Sequence, residues 1–159
     1  MTEESLGRDP LLALHNRRYL LYEIERHVKR YRRHRHPFSL LMVDIHNLEW
    51  IDANRGPAVG NSVLGHLADL ITENTRELDV WYLCTRDQFV IIMEETDTPG
   101  ARTVAERLAA EAEETKSLFS PDGVTLEMSF STASCPDDGV EAETLLQAAG
   151  FLRAGTLQT

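Results

Sequence analysis

The chain has 159 residues, 42% of them hydrophobic and 26% charged, a composition typical of one globular domain. The net charge of -10 disfavours non-specific binding to nucleic acid, and we expect no nucleic-acid partner. No apolar run approaches the roughly 20 residues of a membrane-spanning helix, and the polar start lacks a signal-peptide core. These features predict a cytoplasmic protein without membrane insertion. Cys84 and Cys135 have no paired spacing, which predicts neither a disulfide framework nor a metal site.

One segment carries much of the positive charge. Residues 17–35 contain eight of the 16 Lys and Arg side chains, against the carboxylates of Glu23 and Glu25. A charge run of this kind is typical of a solvated helical face. The alternative interpretation is a docking surface for a protein partner.

The first half of the chain predicts a helix, a strand and two further helices. Apolar side chains at helical spacing indicate one long helix over residues 15–36, which Pro37 ends. Residues 38–45 form a continuous apolar run of strand length, as expected for a central strand covered on both faces. A short helix over residues 48–54 ends at Gly56 and Pro57, and a longer one is predicted over residues 59–78.

The second half predicts a hairpin, a helix, a strand and a last helix. Only residues 85–87 separate strand-like runs at 79–84 and 88–93, so these runs should pair as a hairpin. Thr98 and Pro99 begin a helix, residues 124–131 alternate like a strand, and residues 144–153 form a short final helix. The order α-β-α-α-β-β-α-β-α predicts an α+β sandwich, and the sequence has no internal repeat or linker.

Several motifs in this order resemble those of GGDEF domains, the diguanylate cyclase fold of bacterial signalling. Residues 9–18, DPLLALHNRR, are similar to D-x-L-T-x-L-x-N-R-R, and residues 43–45, VDI, stand where the family has its D-I-D strand end. Residues 51–64 resemble I-N-D-x-x-G-H-x-x-G-D-x-V-L, and TRDQF at 85–89 falls on the G-G-D/E-E-F signature. Residues 105–108, AERL, and 128–131, MSFS, match later motifs of the family.

The resemblance implies a fold and a domain division. It implies a nucleotidyl-cyclase-like sandwich, with a mostly antiparallel central sheet of about five strands flanked by helices. Residues 9–159 would form the domain, and residues 1–8 a tail or linker. Diguanylate cyclases join two GTP molecules with Mg²⁺, and Asp44 and Asp87 match the two carboxylates that hold the ion.

The rest of the implied active site departs from the family pattern. Thr85 and Arg86 stand in place of the two signature glycines, and Gln88 replaces an acidic residue. The late lysine and arginine of A-K-x-x-G-R, which bind phosphate in the family, have no match. We therefore predict a degenerate domain that is not an enzyme, with no catalytic residues, no metal and no cofactor. The predicted active-site remnant is Asp44, Asp52, Asn61, Thr85, Arg86, Asp87 and Gln88.

The residues at two positions are still compatible with recognition of guanine. Asp52 stands where the family has a guanine-binding Asn, and Asn61 where it has a guanine-binding Asp. The exchange keeps one amide and one carboxylate.

Arg86 brings a positive charge into this remnant. We hypothesise that its guanidinium replaces the metal and pairs with Asp44 and Asp87, which would otherwise repel each other. The alternative is an arginine that points into solvent at the hairpin tip.

The resemblance also implies a second site. Arg76 and Asp79 match the R-x-x-D of the family's inhibitory site, which binds cyclic di-GMP, and Arg107 falls where a further arginine often joins it. The first functional hypothesis is thus a cyclic di-GMP receptor that relays to a protein partner. The alternatives are a nucleotide-independent interaction scaffold, and residual GTP binding or weak cyclase activity. Oligomeric state does not follow from the sequence.

Overall fold

The computed structural model describes residues 10–119 and 124–150, with five helices and four strands in this part of the chain. The predicted order of elements is confirmed. In chain order they are α1 (Pro10–His34), β1 (Phe38–Ile45), α2 (Leu48–Arg55), α3 (Pro57–Asn74), β2 (Val80–Thr85), β3 (Gln88–Glu94), α4 (Thr98–Phe119), β4 (Met128–Cys135) and α5 (Ala142–Ala148).

The four strands form one antiparallel sheet in the order β2-β3-β1-β4. The predicted α+β class and antiparallel sheet are confirmed, with four strands in the described residues rather than about five. Leu41 of β1 lies opposite Ile91 on one side and Thr132 on the other. This central position explains the unbroken apolar run of β1, because both faces of the strand are covered.

Helices cover both faces of the sheet. Alternate residues of β1, such as Leu41 and Val43, pack with α2, α3 and α4 in one buried cluster. The intervening residues, such as Leu40 and Met42, pack with α1 and α5 in the other. This division follows from the two-residue period of a strand.

Several predicted boundaries were wrong by a few residues. The last strand was expected over residues 124–131 but spans Met128–Cys135, because its partner β1 ends at Ile45, opposite Met128. Val124 and Leu126 are buried beside the sheet without pairing in it, so their alternation reflects packing rather than strand pairing.

The ends of three helices also differ from the prediction. Helix α1 begins at Pro10 and ends at His34, after which Arg35 adopts a positive φ of 58°. Helix α3 spans Pro57–Asn74 rather than residues 59–78, because a turn begins at Arg76. Helix α5 spans Ala142–Ala148, whereas the prediction was residues 144–153, of which residues 151–153 lie outside the described residues. The predicted tail at residues 1–8 lies wholly outside them.

Both cysteines are free and buried. Burial raises the pKa of the Cys84 thiol to about 12 and also raises the pKa of Cys135. The thiols therefore remain protonated and poorly nucleophilic at neutral pH. No described helix combines the length and the apolar character that a bilayer crossing requires.

Candidate functional site

The β2–β3 hairpin and the end of β1 bring several residues of the predicted remnant together. Thr85 and Gln88 pair across the hairpin, and a register shift lies between Leu83 and Thr85. Asp44 lies opposite Gln88 in the sheet register, next to the hairpin tip. The Thr85 hydroxyl donates a 2.7 Å hydrogen bond to Asp87 Oδ1. Thr85 therefore holds the acidic residue at the tip.

The Arg86 side chain crosses from the hairpin to helix α2. Its Nε lies 2.5 Å from Asp52 Oδ2 and its Nη2 lies 2.8 Å from Asp52 Oδ1. Both side chains are about four-fifths buried. The solvent-exposed alternative was therefore wrong. Asp52 is a partner of the guanidinium that the sequence hypothesis did not name.

Gly60 makes room for this ion pair. A Cβ at position 60 would overlap the Asp52 carboxylate and lie 2.9 Å from Arg86 Nη2. The next residue, Asn61, is 7% exposed, and its Oδ1 is buried without a hydrogen bond from the described residues. Gln88 Oε1 is in the same situation. The cleft thus holds a tight ion pair, and Asn61 next to Gly60 carries an acceptor oxygen without a donor among the described residues.

A magnesium ion of the kind that the fold family uses does not fit this cleft. Within residues 10–119 and 124–150, no group of three or more His, Cys, Asp or Glu side chains is arranged to hold a metal ion. Asp87 Oδ1 already accepts the Thr85 hydroxyl, and the nearby guanidinium of Arg86 supplies positive charge.

Arg76 and Asp79 form a closed turn between α3 and β2. The Asp79 carboxylate accepts the Arg76 backbone N–H at 2.9 Å and the Glu94 backbone N–H at 3.2 Å. Its side chain is only 4% exposed, whereas that of Arg76 is 59% exposed. Asp79 therefore joins the turn to the end of β3, and Arg76 remains accessible to solvent.

The guanidinium of Arg76 lies along the end of β3. Its Nη2 donates to the Glu94 carbonyl and, at 2.8 Å, to the Thr96 hydroxyl, and it pairs with Asp79 Oδ1 at 3.3 Å. These contacts position a charged planar group whose exposed side can still contact a ligand.

Arg107 caps the end of helix α3. Its Nε donates to Asn74 Oδ1 and its Nη2 to the Asn74 carbonyl, both at 2.8 Å. A cation at a helix C-terminus is favourable because it faces the negative end of the helix dipole. Asn74 in turn donates to the Leu70 carbonyl and to the Glu111 carboxylate. Asn74 thus holds Arg107 in place.

The three residues of the predicted second site line one groove of about 350 Å³. The structure therefore brings Arg76, Asp79 and Arg107 together in one groove. Sequence reasoning missed Asn74 and Thr96, which position the two arginines. The lining also contains Glu95 and Asp97, so three carboxylates face two guanidinium groups.

A larger groove, of about 680 Å³, lies between α2 and the segment before β4. Asn47 spans it at one end, donating to the Thr125 carbonyl and accepting the Glu127 N–H at 3.0 Å. Trp50 lies on its wall with 48% of its surface exposed, and the guanidinium of Arg55 lies 5.4 Å from the centre of its ring. No site residue was predicted in this groove.

Comparison with known proteins assigns the chain to a family. The family model described as diguanylate cyclase, GGDEF domain, matches residues 7–151. The chain belongs to the GGDEF family, which confirms the resemblance seen in its motifs.

Two curated relatives show how much of a longer protein the chain resembles. The response regulator PleD of Caulobacter vibrioides is 34% identical over 100 residues, which cover 63% of this chain and 22% of PleD. The diguanylate cyclase DosC of Escherichia coli is 27% identical over 150 residues, which cover 94% of this chain and 32% of DosC. The chain thus spans less than a third of the length of either relative.

Solved GGDEF domains share the fold. The FimX GGDEF domain of Pseudomonas aeruginosa matches with a TM-score of 0.72 and 18% identity, over 91% of this chain and 89% of that one. The GGDEF domain of DgcB from Caulobacter crescentus, solved in complex with c-di-GMP, matches with a TM-score of 0.71 and 14% identity, over 84% and 80%.

Proposed function

We propose that this GGDEF domain is not an enzyme and acts as a receptor for cyclic di-GMP, bound in the groove of Arg76, Asp79 and Arg107, with relay to a protein partner. The observation that carries the proposal is the convergence of these three residues on one groove. The c-di-GMP complex of the DgcB domain makes this ligand class relevant to the fold.

The chemistry of the groove suits a cyclic dinucleotide. A planar guanidinium donates in a fork to phosphate oxygens and to the acceptor edge of guanine, and it also stacks on bases. Arg107 is held by Asn74 and Arg76 by Thr96, so both guanidinium groups are already oriented before a ligand arrives. Pre-orientation lowers the entropy cost of binding.

The absence of catalysis is supported by the hairpin cleft. Phosphoryl transfer depends on positioned charge, above all on a metal ion and cations at the phosphates. Here Arg86 and Asp52 form an ion pair with each other, and Gln88 supplies an amide in place of a carboxylate.

Titration calorimetry with cyclic di-GMP tests the receptor. We expect micromolar or tighter binding by the wild type and a loss of at least about tenfold in Arg76→Ala, because a charge-assisted hydrogen bond contributes roughly 1.5–3 kcal/mol. Arg33→Ala removes an exposed arginine of α1, outside the groove, and should bind like the wild type. No heat from the wild type, or equal binding by Arg76→Ala, would refute the proposal. Incubation with GTP and Mg²⁺ should release no pyrophosphate.

A charge substitution tests the same groove in the opposite direction. Glu95→Gln should strengthen cyclic di-GMP binding by about two- to fivefold at low salt, because one lining carboxylate no longer repels the ligand phosphates. The gain should shrink as salt is added. Glu49→Gln, on the wall of the larger groove, is the matched control and should change nothing. Unchanged affinity in Glu95→Gln would mean that the phosphates bind elsewhere.

A second candidate function, an interaction scaffold that needs no nucleotide, is favoured by the surface of α1. Leu20, Ile24 and Val28 are buried against the sheet. The opposite side of the helix exposes a basic stripe that consists of Arg18, Tyr22, Arg26, Lys29 and Arg33. Arginine and tyrosine are enriched in the energetic centres of protein interfaces. A domain without any nucleotide response, whose partner binding is lost on charge reversal of this stripe, would support this candidate.

A further inference from the structure

The basic stripe of α1 follows one line along the exposed side of the helix. Leu20, Ile24 and Val28 occupy the other side, where they are buried against the sheet. From Arg18 to Arg33 the members of the stripe are three or four residues apart, which keeps them on one helical face. At the rise of an α-helix, the stripe is about 22 Å long.

The fold leaves much of this positive charge without a partner. Arg18, Lys29 and Arg33 are exposed, and none of the three forms a salt bridge within the described residues. Eight basic and two acidic side chains give residues 17–35 a net charge of +6, and since the whole chain has -10, the rest has -16. An acidic partner is therefore repelled by most of the chain and attracted to this one helix.

Carboxylates border the stripe on both sides. On one side, Glu25, Glu141 and Glu143 line a groove between α1 and the start of α5. On the other side, Arg30 Nη1 lies 3.0 Å from Glu94 Oε1. A bilayer surface or a nucleic-acid duplex is wider than the stripe and would also face these carboxylates. A single helix, about 10–12 Å across, can contact the stripe alone.

The middle of the stripe offers apolar contact area. Tyr22 is 59% exposed and lies one turn from Arg18 and one turn from Arg26. Tyrosine and arginine are enriched in the energetic centres of protein interfaces, because a ring adds buried area to the charged contacts. The apolar side of α1 is buried in the core, so it cannot insert into a lipid surface. These features favour a protein partner.

We propose that the basic stripe docks an acidic helix of a partner protein, whose carboxylates follow one face at the spacing of the stripe. The proposal names the chemistry of the partner in the proposed function, and it rests on that function for the relay alone. No member of the stripe lines the groove of Arg76, Asp79 and Arg107, so docking itself needs no cyclic di-GMP.

Fluorescence anisotropy at low salt, with a labelled helical peptide of about 20 residues as the probe, tests the docking. The probe carries glutamates along one face, and its control has the same composition with the glutamates spread round the helix. The wild type should bind the striped peptide at least about fivefold more tightly than the control, because several aligned charge pairs add up. Arg33→Glu should weaken this binding at least about threefold, whereas Arg102→Glu, an equal charge change at an exposed position of α4, should not.

A neutral variant and a groove variant complete the test. Lys29→Ala with Arg33→Ala keeps a good helix former at both exposed positions, so the fold should persist while the peptide binds about threefold more weakly. Arg76→Ala should bind the peptide as the wild type does, which separates failure of this inference from failure of the proposed function. Equal affinity for the two peptides, or equal loss in Arg33→Glu and Arg102→Glu, would overturn the proposal. Arg33-dependent binding of duplex DNA or of phosphatidylserine vesicles without binding of the peptide would also overturn it.

Discussion

Replacing Phe89 with alanine is expected to lower the free energy of unfolding by about 3–5 kcal/mol, the range for a fully buried phenylalanine. Phe89 lies near the start of β3, has no exposed surface and belongs to the larger buried cluster. Its ring meets that of Trp81 edge to face, with 5.4 Å between ring centres. Since domains of this size are stable by about 5–15 kcal/mol, the loss would approach the whole margin.

Urea unfolding of Phe89→Ala, followed by circular dichroism, measures this effect. Phe130→Ala is the matched control, because Phe130 is only partly buried on the edge strand β4. It should lose about 1–2 kcal/mol, since less of its ring leaves water on folding. If Phe89→Ala does not fold, the pair Phe89→Leu and Phe130→Leu still ranks the two sites, with a loss of about 1.5 kcal/mol at Phe89 and a smaller one at Phe130. Equal losses at Phe89 and Phe130 would contradict the assigned packing.

The signature segment contains a core residue, Phe89, and residues that lie at the cleft, Thr85 and Arg86. Residues 85–89 read TRDQF, so the chain matches the family at the last position and differs at the first two. Phe89 fills the core, and we expect the loss of its ring to cost several kcal/mol. The glycines matter only where the backbone must approach a nucleotide. Substitution at Thr85 and Arg86 therefore leaves the fold intact and alters the cleft.

The sequence predicted the elements well because their signals are local. The apolar run of β1 and the helical stripe of α3 each arise within one element, and the structure has both where the pattern indicated. The start of β4 was missed because it depends on where β1 ends, which is a property of a distant segment. Val124 and Leu126 produced strand-like alternation although they pack without pairing.

The candidate sites were predictable only in part, for the same reason. Motif spacing indicated Arg76, Asp79 and Arg107 as site residues, and the structure places them in one groove. The partner of Arg86 was not predictable, because Asp52 lies 34 residues earlier and the hairpin also contains Asp87, a nearer carboxylate. The role of Asn74 was not indicated by the sequence. Nothing in the neighbouring residues marks an asparagine that accepts hydrogen bonds from an arginine on another helix.

Asp79→Ala is expected to destabilise the protein by about 2–4 kcal/mol, although Asp79 belongs to the proposed ligand site. The carboxylate is 4% exposed and accepts the backbone N–H groups of Arg76 and Glu94. Its removal leaves these donors unmatched, at about 1–3 kcal/mol each where they stay buried. Arg76→Ala should cost less than about 1 kcal/mol, because the Arg76 side chain is largely exposed and its ion pair is screened.

Urea unfolding of the two variants side by side decides between a structural and a ligand-binding role for Asp79. A large loss in Asp79→Ala with a small loss in Arg76→Ala would mean that Asp79 chiefly builds the turn that presents Arg76. Loss of cyclic di-GMP binding in Asp79→Ala would then reflect a disordered turn, and only Arg76→Ala would report on contact with the ligand. Stability of Asp79→Ala within about 0.5 kcal/mol of the wild type would instead mean that the two N–H groups find water, leaving the carboxylate available to accept from guanine.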